Sequence, residues 1–407
     1  MTSRMSIRAV CVLSAYMIAL AVLHSASAQE APKPAQPPAQ GQPEVKKEIP
    51  ADLTQPAAPK AEPPTGLEAI KKALNFNLYL QATNFYNPHG DDNYFHIFDH
   101  QANTVTFDIG EIVLSHDAEK GGFGGKFKMI TGETAKFIHA NGLGIDEDDN
   151  PAHSEPVDFT EFYAEYNAPI GNGLKIDFGK WVAFMGAEVI EAIDNPNVSR
   201  SFLFNYAEPF THTGFRVTYP LNDKLNLGFY AVQGWDNFKD NNSAKTFGYS
   251  IAYTPCDKAS FSVNFMHGPE QNDNDSHQRF MLDTVATLKP IKDVTFLLSY
   301  DNGWEESVPG IGFATWRGFS GIASWAPLPW FGIALRGEVF DDPDGARTGV
   351  EQELKEVTLT PEFKVKGVKY LDGLVIRPEY RHDWSDKASF GGRSSQDVMG
   401  VSMMYRW

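Results

Sequence analysis

Cysteine is nearly absent from this 407-residue sequence: there are two, Cys11 and Cys256. Cys11 falls in an N-terminal leader, so the rest of the chain keeps one thiol and no intramolecular disulfide can brace it. After the N-terminus no run of 18 apolar residues occurs, which excludes a membrane protein built of helices. Positive charge is scarce too. Against 52 Asp and Glu stand 35 Lys and Arg, a net of −17, which argues against nucleic acid as a partner. Mean hydropathy is only −0.33. A barrel of membrane-spanning strands survives every one of these deficits, because only alternate residues of its strands face lipid.

What the chain does have is alternation. The stretch Gln396–Trp407 (QDVMGVSMMYRW) puts Met399, Val401, Met403, Tyr405 and Trp407 on one face and Val398, Gly400, Ser402, Met404 and Arg406 on the other. Side chains alternate across a strand, so this is a strand with one apolar face. Its aromatic end suits the interface of a membrane barrel. The pattern recurs from Asn75 onward in segments of about ten residues, as expected of spanning strands. Asn75–Phe85 sets Phe76, Leu78 and Leu80 against Asn77, Tyr79 and Gln81, and Leu174–Trp181 sets Ile176 and Phe178 against Lys175 and Asp177. Seven short connections, such as Pro220–Lys224 and Pro255–Ala259, alternate with eight long ones, such as Gly132–Pro156 and Ala183–Phe210. That count predicts an all-β fold over 75–407: a transmembrane antiparallel β-barrel of 16 strands with short turns at one end and long loops at the other. A ring of that size leaves an aqueous lumen.

The N-terminal region reads differently. Residues 1–28 carry Arg4 and Arg8, an apolar run Ala9–Leu23 and the small-residue site Ala26-Ser27-Ala28. This is the pattern of a Sec-type signal peptide. Without Arg4 and Arg8 the balance is 33 basic to 52 acidic residues, a net of −19. Residues 29–66 hold ten prolines and almost nothing to bury, so they read as a disordered tether or an inert spacer. Residues 67–74 (LEAIKKAL) form a short helix or linker before the barrel.

With the apolar face toward lipid, the lumen lining is Lys126, Glu161, Lys175, Asp177, Arg216, Arg336, Glu338, Arg377, Glu379, Arg381 and Asp383. The opposite register would place Lys or Arg in lipid, at about 2–4 kcal/mol each near the midplane. Pro361 and Pro378 fall in adjacent strands, where each removes a ladder donor, so a bulge is expected there. The connection Ala183–Phe210 is long yet rich in Phe184, Met185, Val189, Ile190, Ile193, Phe202 and Phe204. A loop facing only water would not be. We expect it to fold inward and narrow the lumen, with Glu188, Glu191, Asp194 and Arg200 at the constriction. Packing on the barrel rim is the alternative.

The words Gly179-Lys180, Gly186-Ala187-Glu188, Ser199-Arg200-Ser201, Phe204-Asn205, Pro209-Phe210 and Thr211-His212-Thr213-Gly214 give the segment Gly179–Tyr219 its character. Together with the upstream Pro169–Gly173 and the downstream Gly234-Trp235-Asp236, the segment resembles the OmpL-like family of bacterial outer-membrane β-barrel porins over roughly 75–407. The resemblance implies a barrel and a passive channel, and supplies no catalytic, metal or cofactor residues.

Other constellations weigh less. Asp146–Asp149 offers oxygen ligands but lacks the glycine and distal glutamate of an EF-hand loop. His89, His96, Asp99 and His100 crowd one loop without a metal-binding signature. Asp194, Ser199 and His212 could make a hydrolase triad, but no nucleophile-elbow motif accompanies them. Tyr79, Tyr163, Trp181 and Tyr230 on the lumen side could stack against a sugar. The expectation is a non-enzymatic outer-membrane porin, with no cofactor and no metal centre, passing small hydrophilic solutes or ions. Alternatives are a sugar- or ion-selective channel and a structural anchor held by the tether. Expected partners are outer-membrane lipids, the barrel-assembly machinery, divalent cations at the acidic loops and further copies of the chain in a trimer.

Overall fold

The computed structural model describes residues 74–90, 92–143 and 155–407. The signal peptide, the tether, the helix expected over 67–74 (Leu74 apart), Asp91 and Asp146–Asp149 lie outside the described residues.

Sixteen strands make up the fold. They are β1 (Asn75–Tyr86), β2 (Thr104–His116), β3 (Phe123–Thr131), β4 (Val157–Ala168), β5 (Leu174–Val182) and β6 (Thr211–Asn222). Then come β7 (Leu225–Val232), β8 (Thr246–Cys256), β9 (Ala259–Pro269), β10 (Gln278–Leu288) and β11 (Val294–Val308). The last are β12 (Gly312–Leu328), β13 (Phe331–Asp342), β14 (Gln352–Lys364), β15 (Leu374–Ser385) and β16 (Ser395–Arg406). Each pairs antiparallel with its sequence neighbours and β16 pairs with β1, closing a barrel. The seam runs from Tyr79↔Arg406 to Tyr86↔Met399. It extends one residue further through mutual backbone bonds of Leu78 and Trp407, at 3.1 and 2.9 Å. Closure leaves no edge, the condition for holding unpaired backbone groups out of lipid.

The register is the one the alternation predicts. On β13, Ala334, Arg336, Glu338 and Phe340 are buried, while Leu335 and Val339 face outward. On β16, Val398, Ser402 and Met404 are buried while Met399 and Met403 face outward. Outward aromatics gather toward the strand ends: Phe123, Trp325, Trp330 and Trp407 at the short-turn end, Phe107, Phe247 and Phe313 at the other. These are the two interfacial girdles of a membrane barrel. Leu335 is half exposed to the surroundings and sits opposite Leu359 near the strand midpoint. Leu335→Arg is expected to lower stability by about 2–4 kcal/mol in lipid vesicles. An unchanged unfolding free energy there would place the midplane elsewhere.

The prolines are accommodated without a bulge. The β14–β15 ladder runs from Leu354↔Ser385 to Leu359↔Tyr380, pauses, and resumes at Phe363↔Ile376 in the same register. Pro361 and Pro378 therefore fall opposite each other, so the two missing donors cost one opening in the ladder rather than two. Side chains bridge the gap on either side. Thr360 Oγ1 donates to Glu379 at 2.6 Å, and Arg377 Nε donates to Glu362 at 2.9 Å. Elsewhere glycine permits close approach. Gly179 and Gly214 pair directly, each with positive φ, and a Cβ at Gly179 would lie 2.2 Å from the Phe162 carbonyl oxygen.

Candidate functional site: a loop laid across the lumen

Residues 183–210 leave the barrel after β5 and rejoin it at β6, and between those points they touch the far wall. β13 and β14 lie eight strands from β5 and β6 in a ring of sixteen, which is diametrically opposite. The loop has little regular structure of its own: a 3₁₀ turn at Ala192–Asp194 and a five-residue π-helical turn at Leu203–Ala207. Its conformation is imposed by the wall.

Three arginines do most of this. Arg336 of β13 donates to the Ser199 carbonyl at 2.6 Å and to Glu188 at 2.9 Å, while pairing with Glu356 of β14 at 2.8 Å. Arg377 of β15 donates to the carbonyls of Ala192 and Asn195 at 2.6 and 2.7 Å. Arg381 donates to the Arg200 carbonyl at 2.6 Å and pairs with Asp383 at 2.6 Å. Two glutamates take the loop's N–H groups. Glu379 accepts from Val198 and Ser199, and Glu338 accepts from Phe202 and Leu203 at 2.7 Å each. The Glu338 contacts place an anion at the start of the helical turn, where free N–H groups and the turn's dipole favour it. A planar guanidinium with five donors suits the opposite task of gathering several carbonyls at once.

Apolar side chains fill what remains. Met185, Phe202, Leu203 and Ala207 pack with Trp181, Tyr230, Trp316 and Phe340 of the wall. Ile190, Ala192 and Phe204 pack with Tyr79, Ile109, Ile130 and Met404. Each large side chain so buried contributes about 1.5–3 kcal/mol. This is the physical reason for the loop's apolar composition.

The four loop charges expected at a constriction are not equivalent. Glu188 is engaged by Arg336 and by the Ser201 N–H, and Glu191 by Lys128 of β3. Arg200 donates to the carbonyls of Val189, Ile190 and Val198, and Phe98 and Phe204 flank its guanidinium. These three are buried. Asp194 is the exception: its pair with Arg406, at 2.6 Å, keeps about a third to a half of each side chain exposed.

The wall residues read from the sequence all lie on the face away from lipid, mostly as ion pairs. Lys126 meets Glu161 at 2.5 Å, Arg216 meets Asp177 at 2.7 Å, and Lys175 meets Glu165 at 3.1 Å. The aromatic positions considered for stacking a sugar are occupied. Phe184 of the loop stacks on Tyr230 with ring centroids 3.7 Å apart, and Arg216 lies 5.0 Å from both the Tyr163 and Trp181 rings. The Arg406 guanidinium covers Tyr79. The triad residues are each engaged elsewhere: Asp194 by Arg406, Ser199 by Arg336, and His212 through Nδ1 by the Gly234 carbonyl. His96 is held between Asp99 and Asp383, at 2.7 and 2.9 Å, as a buried strut. Lys128, Glu356, Glu362 and Glu208 were not legible as site residues. For the first three, the inward phase of β3 and β14 is the signal that points to them.

Outside the membrane span, His139 lies in the connection between β3 and β4, after the short helix α1 (Glu133–Phe137). Its Nδ1 meets Asp158 at 3.1 Å and its Nε2 donates to the Glu155 carbonyl at 2.7 Å. Both ring nitrogens face acceptors, so the imidazolium is the satisfied form. The bond to Asp158 lifts His139 above its usual 6.5, burial opposes this, and the Glu155 carbonyl adds to the lift. A raised pKa stabilises fully below 6.5 and loses that contribution as pH rises through the folded value. Amide protection in this connection, taken relative to the intrinsic base-catalysed exchange rate, is therefore expected to fall on going from mildly acidic to alkaline pH, and His139→Gln to remove that fall.

A closed sixteen-strand antiparallel barrel, apolar outside, charged inside and crossed by a folded-in loop, defines a porin. The chain belongs to the family described as "Putative beta-barrel porin-2, OmpL-like", whose model matches residues 73–406. Solved structures share the fold at low identity. The outer-membrane channel DcaP of Acinetobacter baumannii is 13% identical, with a TM-score of 0.57 over 82% of this chain and 97% of that one. The anion-selective porin of Comamonas acidovorans is 9% identical, with a TM-score of 0.57 over 82% and 99%. Pseudomonas putida OprB is 12% identical, with a TM-score of 0.56 over 84% and 96%. Among curated proteins, none matches the sequence. Family and fold alike describe a channel rather than an enzyme.

Proposed function

We propose that this porin sits in the outer membrane, reached through a Sec leader at residues 1–28, and lets small hydrophilic solutes and ions diffuse through its lumen. Loop 183–210 sets the width of that path. The observation that carries this reading is the double row of wall arginines and glutamates that clasps the loop on the side opposite its anchors. Of the loop's charges, Asp194 with Arg406 faces the passage. The wall pairs headed by Lys126, Lys175 and Arg216 line the rest. Charges balanced in pairs give a field of mixed sign, which sets ion preference by position rather than by net charge.

No stacking platform is free among Tyr79, Tyr163, Trp181 and Tyr230, which favours a general path over a sugar-selective one. Further parts of the proposal are self-association into trimers, insertion by the barrel-assembly machinery, and divalent cations held between acidic external loops and anionic lipid headgroups. The experiment is conductance of the purified protein in planar bilayers with a panel of salts and sugars. We expect discrete ohmic steps, with small sugars failing to block current. A protein that inserts yet conducts nothing would leave the structural-anchor reading.

A further inference from the structure

One cluster inside the barrel takes no part in the ladder of paired charges. Asp283 of β10 and Asp301 of β11 are directly opposed residues on neighbouring strands, both inward and fully buried. Like charges facing each other across a ladder repel. Glu208, from the end of the loop, enters the same spot, and one oxygen from each of the three lies within 4.8 Å of the others. Among the described residues no other group of three His, Cys, Asp or Glu side chains comes together in this way.

Elsewhere in the lumen most buried carboxylates meet a guanidinium, an ammonium or a backbone N–H, Asp108 with the Thr83 hydroxyl being an exception. Here, among the described residues, no guanidinium or ammonium pairs with any of the three, and the Gly186 N–H and the Asn264 amide serve Asp283 alone. Both carboxylate oxygens of Asp301 and Oδ1 of Asp283 have no hydrogen-bond partner. The Asn264 amide donates to the other Asp283 oxygen at 2.5 Å. A second, separate side chain points the same way. Ser299 is buried and its hydroxyl is without a partner. It shares with Glu208, Ser201 and Ser320 the lining of a cavity of about 10 Å³, near the least volume that holds one water. Backbone is shaped to admit Glu208. Gly186 has φ +88°, and a Cβ there would lie 1.7 Å from a Glu208 carboxylate oxygen.

From this geometry we infer that Glu208, Asp283 and Asp301 form a binding site for one hard divalent cation, Ca²⁺ or a close substitute, which fastens the C-terminal end of the loop to β10 and β11. Three carboxylate oxygens and a hydroxyl are hard ligands. Calcium–oxygen distances of about 2.3–2.6 Å let one ion reach oxygens up to roughly 5 Å apart, and a water in the neighbouring cavity with bidentate contact by the carboxylates brings the shell to the six or more oxygens calcium takes. The arginines clasp the middle of the loop, and the ion clasps its end. The rival occupant is a proton: three carboxyls sharing hydrogens need no metal.

The two occupants predict opposite signs. The test uses full-length folded protein, freed of metal with a chelator, and follows the thermal unfolding midpoint and bound metal on adding Ca²⁺ or Mn²⁺. We expect one equivalent bound per chain and a higher midpoint with the ion. Asp301→Asn and Glu208→Gln should each lose that equivalent and at least tenfold in affinity, while cations at the external acidic loops remain. If the metal-free wild type is stabilised by Asp301→Asn and no equivalent is lost, the cluster is a proton-sharing one and the proposal falls. Glu208→Gln lies in the loop rather than the wall, so it keeps the test open should the Asp301 variant fail to assemble. Binding is read on the folded protein, so the result stands apart from whether the barrel conducts.

Discussion

Replacing Arg336 by alanine should cost about 3–5 kcal/mol in unfolding free energy, the range for removing one partner of a buried ion pair. The side chain is fully buried, and its loss leaves Glu188 and Glu356 facing each other without the cation between them. It also strips the Ser199 carbonyl of its donor. Arg336→Lys should recover little, because a point charge cannot serve Glu356, Glu188 and the Ser199 carbonyl from one position. Adding Glu188→Gln to Arg336→Ala should restore part of the loss, and the double-mutant cycle then measures the coupling across the lumen. Equilibrium unfolding in vesicles gives the energies. In bilayers, the single variant should show a noisy open level, because the middle of the loop is no longer held by β13. A cost below about 1 kcal/mol, the range of a solvated surface pair, would mean that water reaches Arg336 and that the loop stands away from the wall.

The outer shell of this protein was legible because it is periodic. A lipid-facing side chain every second residue, interrupted by alternately short and long connections, defines strand count, register and closure without any knowledge of tertiary contacts. The inward phase comes with it, and it turns Arg336, Glu338, Arg377, Glu379, Arg381 and Asp383 away from lipid whatever their partners. The partners were not legible, since they depend on where an aperiodic loop comes to rest. Nothing in the spacing of Ala183–Phe210 says that Arg377 will hold the Ala192 and Asn195 carbonyls, or that Glu208 will meet Asp283 and Asp301. The loop's apolar content showed that it must be buried, though not against which strands. Charge type misled in one respect. Glu188, Glu191 and Arg200 looked like groups for the passing solute, whereas their polar atoms are spent on Arg336, Lys128 and three backbone carbonyls. The two prolines misled in another. Read separately each demands a bulge, and only the cross-strand register shows that they share one gap.

Excising Glu188–Asn197 and closing the gap with a short Gly-Ser linker should raise single-channel conductance severalfold while leaving the barrel able to assemble. The reason lies in how the wall is built. Each cation that clasps the loop also has a carboxylate of its own on the wall: Arg336 has Glu356, Arg377 has Glu362, Arg381 has Asp383, and Lys128 has Glu111 at 3.2 Å. Removing the segment therefore admits water to paired charges, whereas Arg336→Ala strands two carboxylates in a dry interior, and the first is far cheaper than the second. The excision also removes Glu188, Glu191 and Asp194 and frees the Arg406 guanidinium. Three negative charges are lost, Asp194 from the passage itself and two from beneath it, while every wall cation stays, so the reversal potential in a salt gradient should move toward anion preference. The conductance step and the shift in preference test different things: the first the loop's bulk, the second its charge. A variant that assembles with unchanged conductance would show that ions already pass beside the loop rather than through a gap it defines. The lumen would then owe its width to the wall pairs alone.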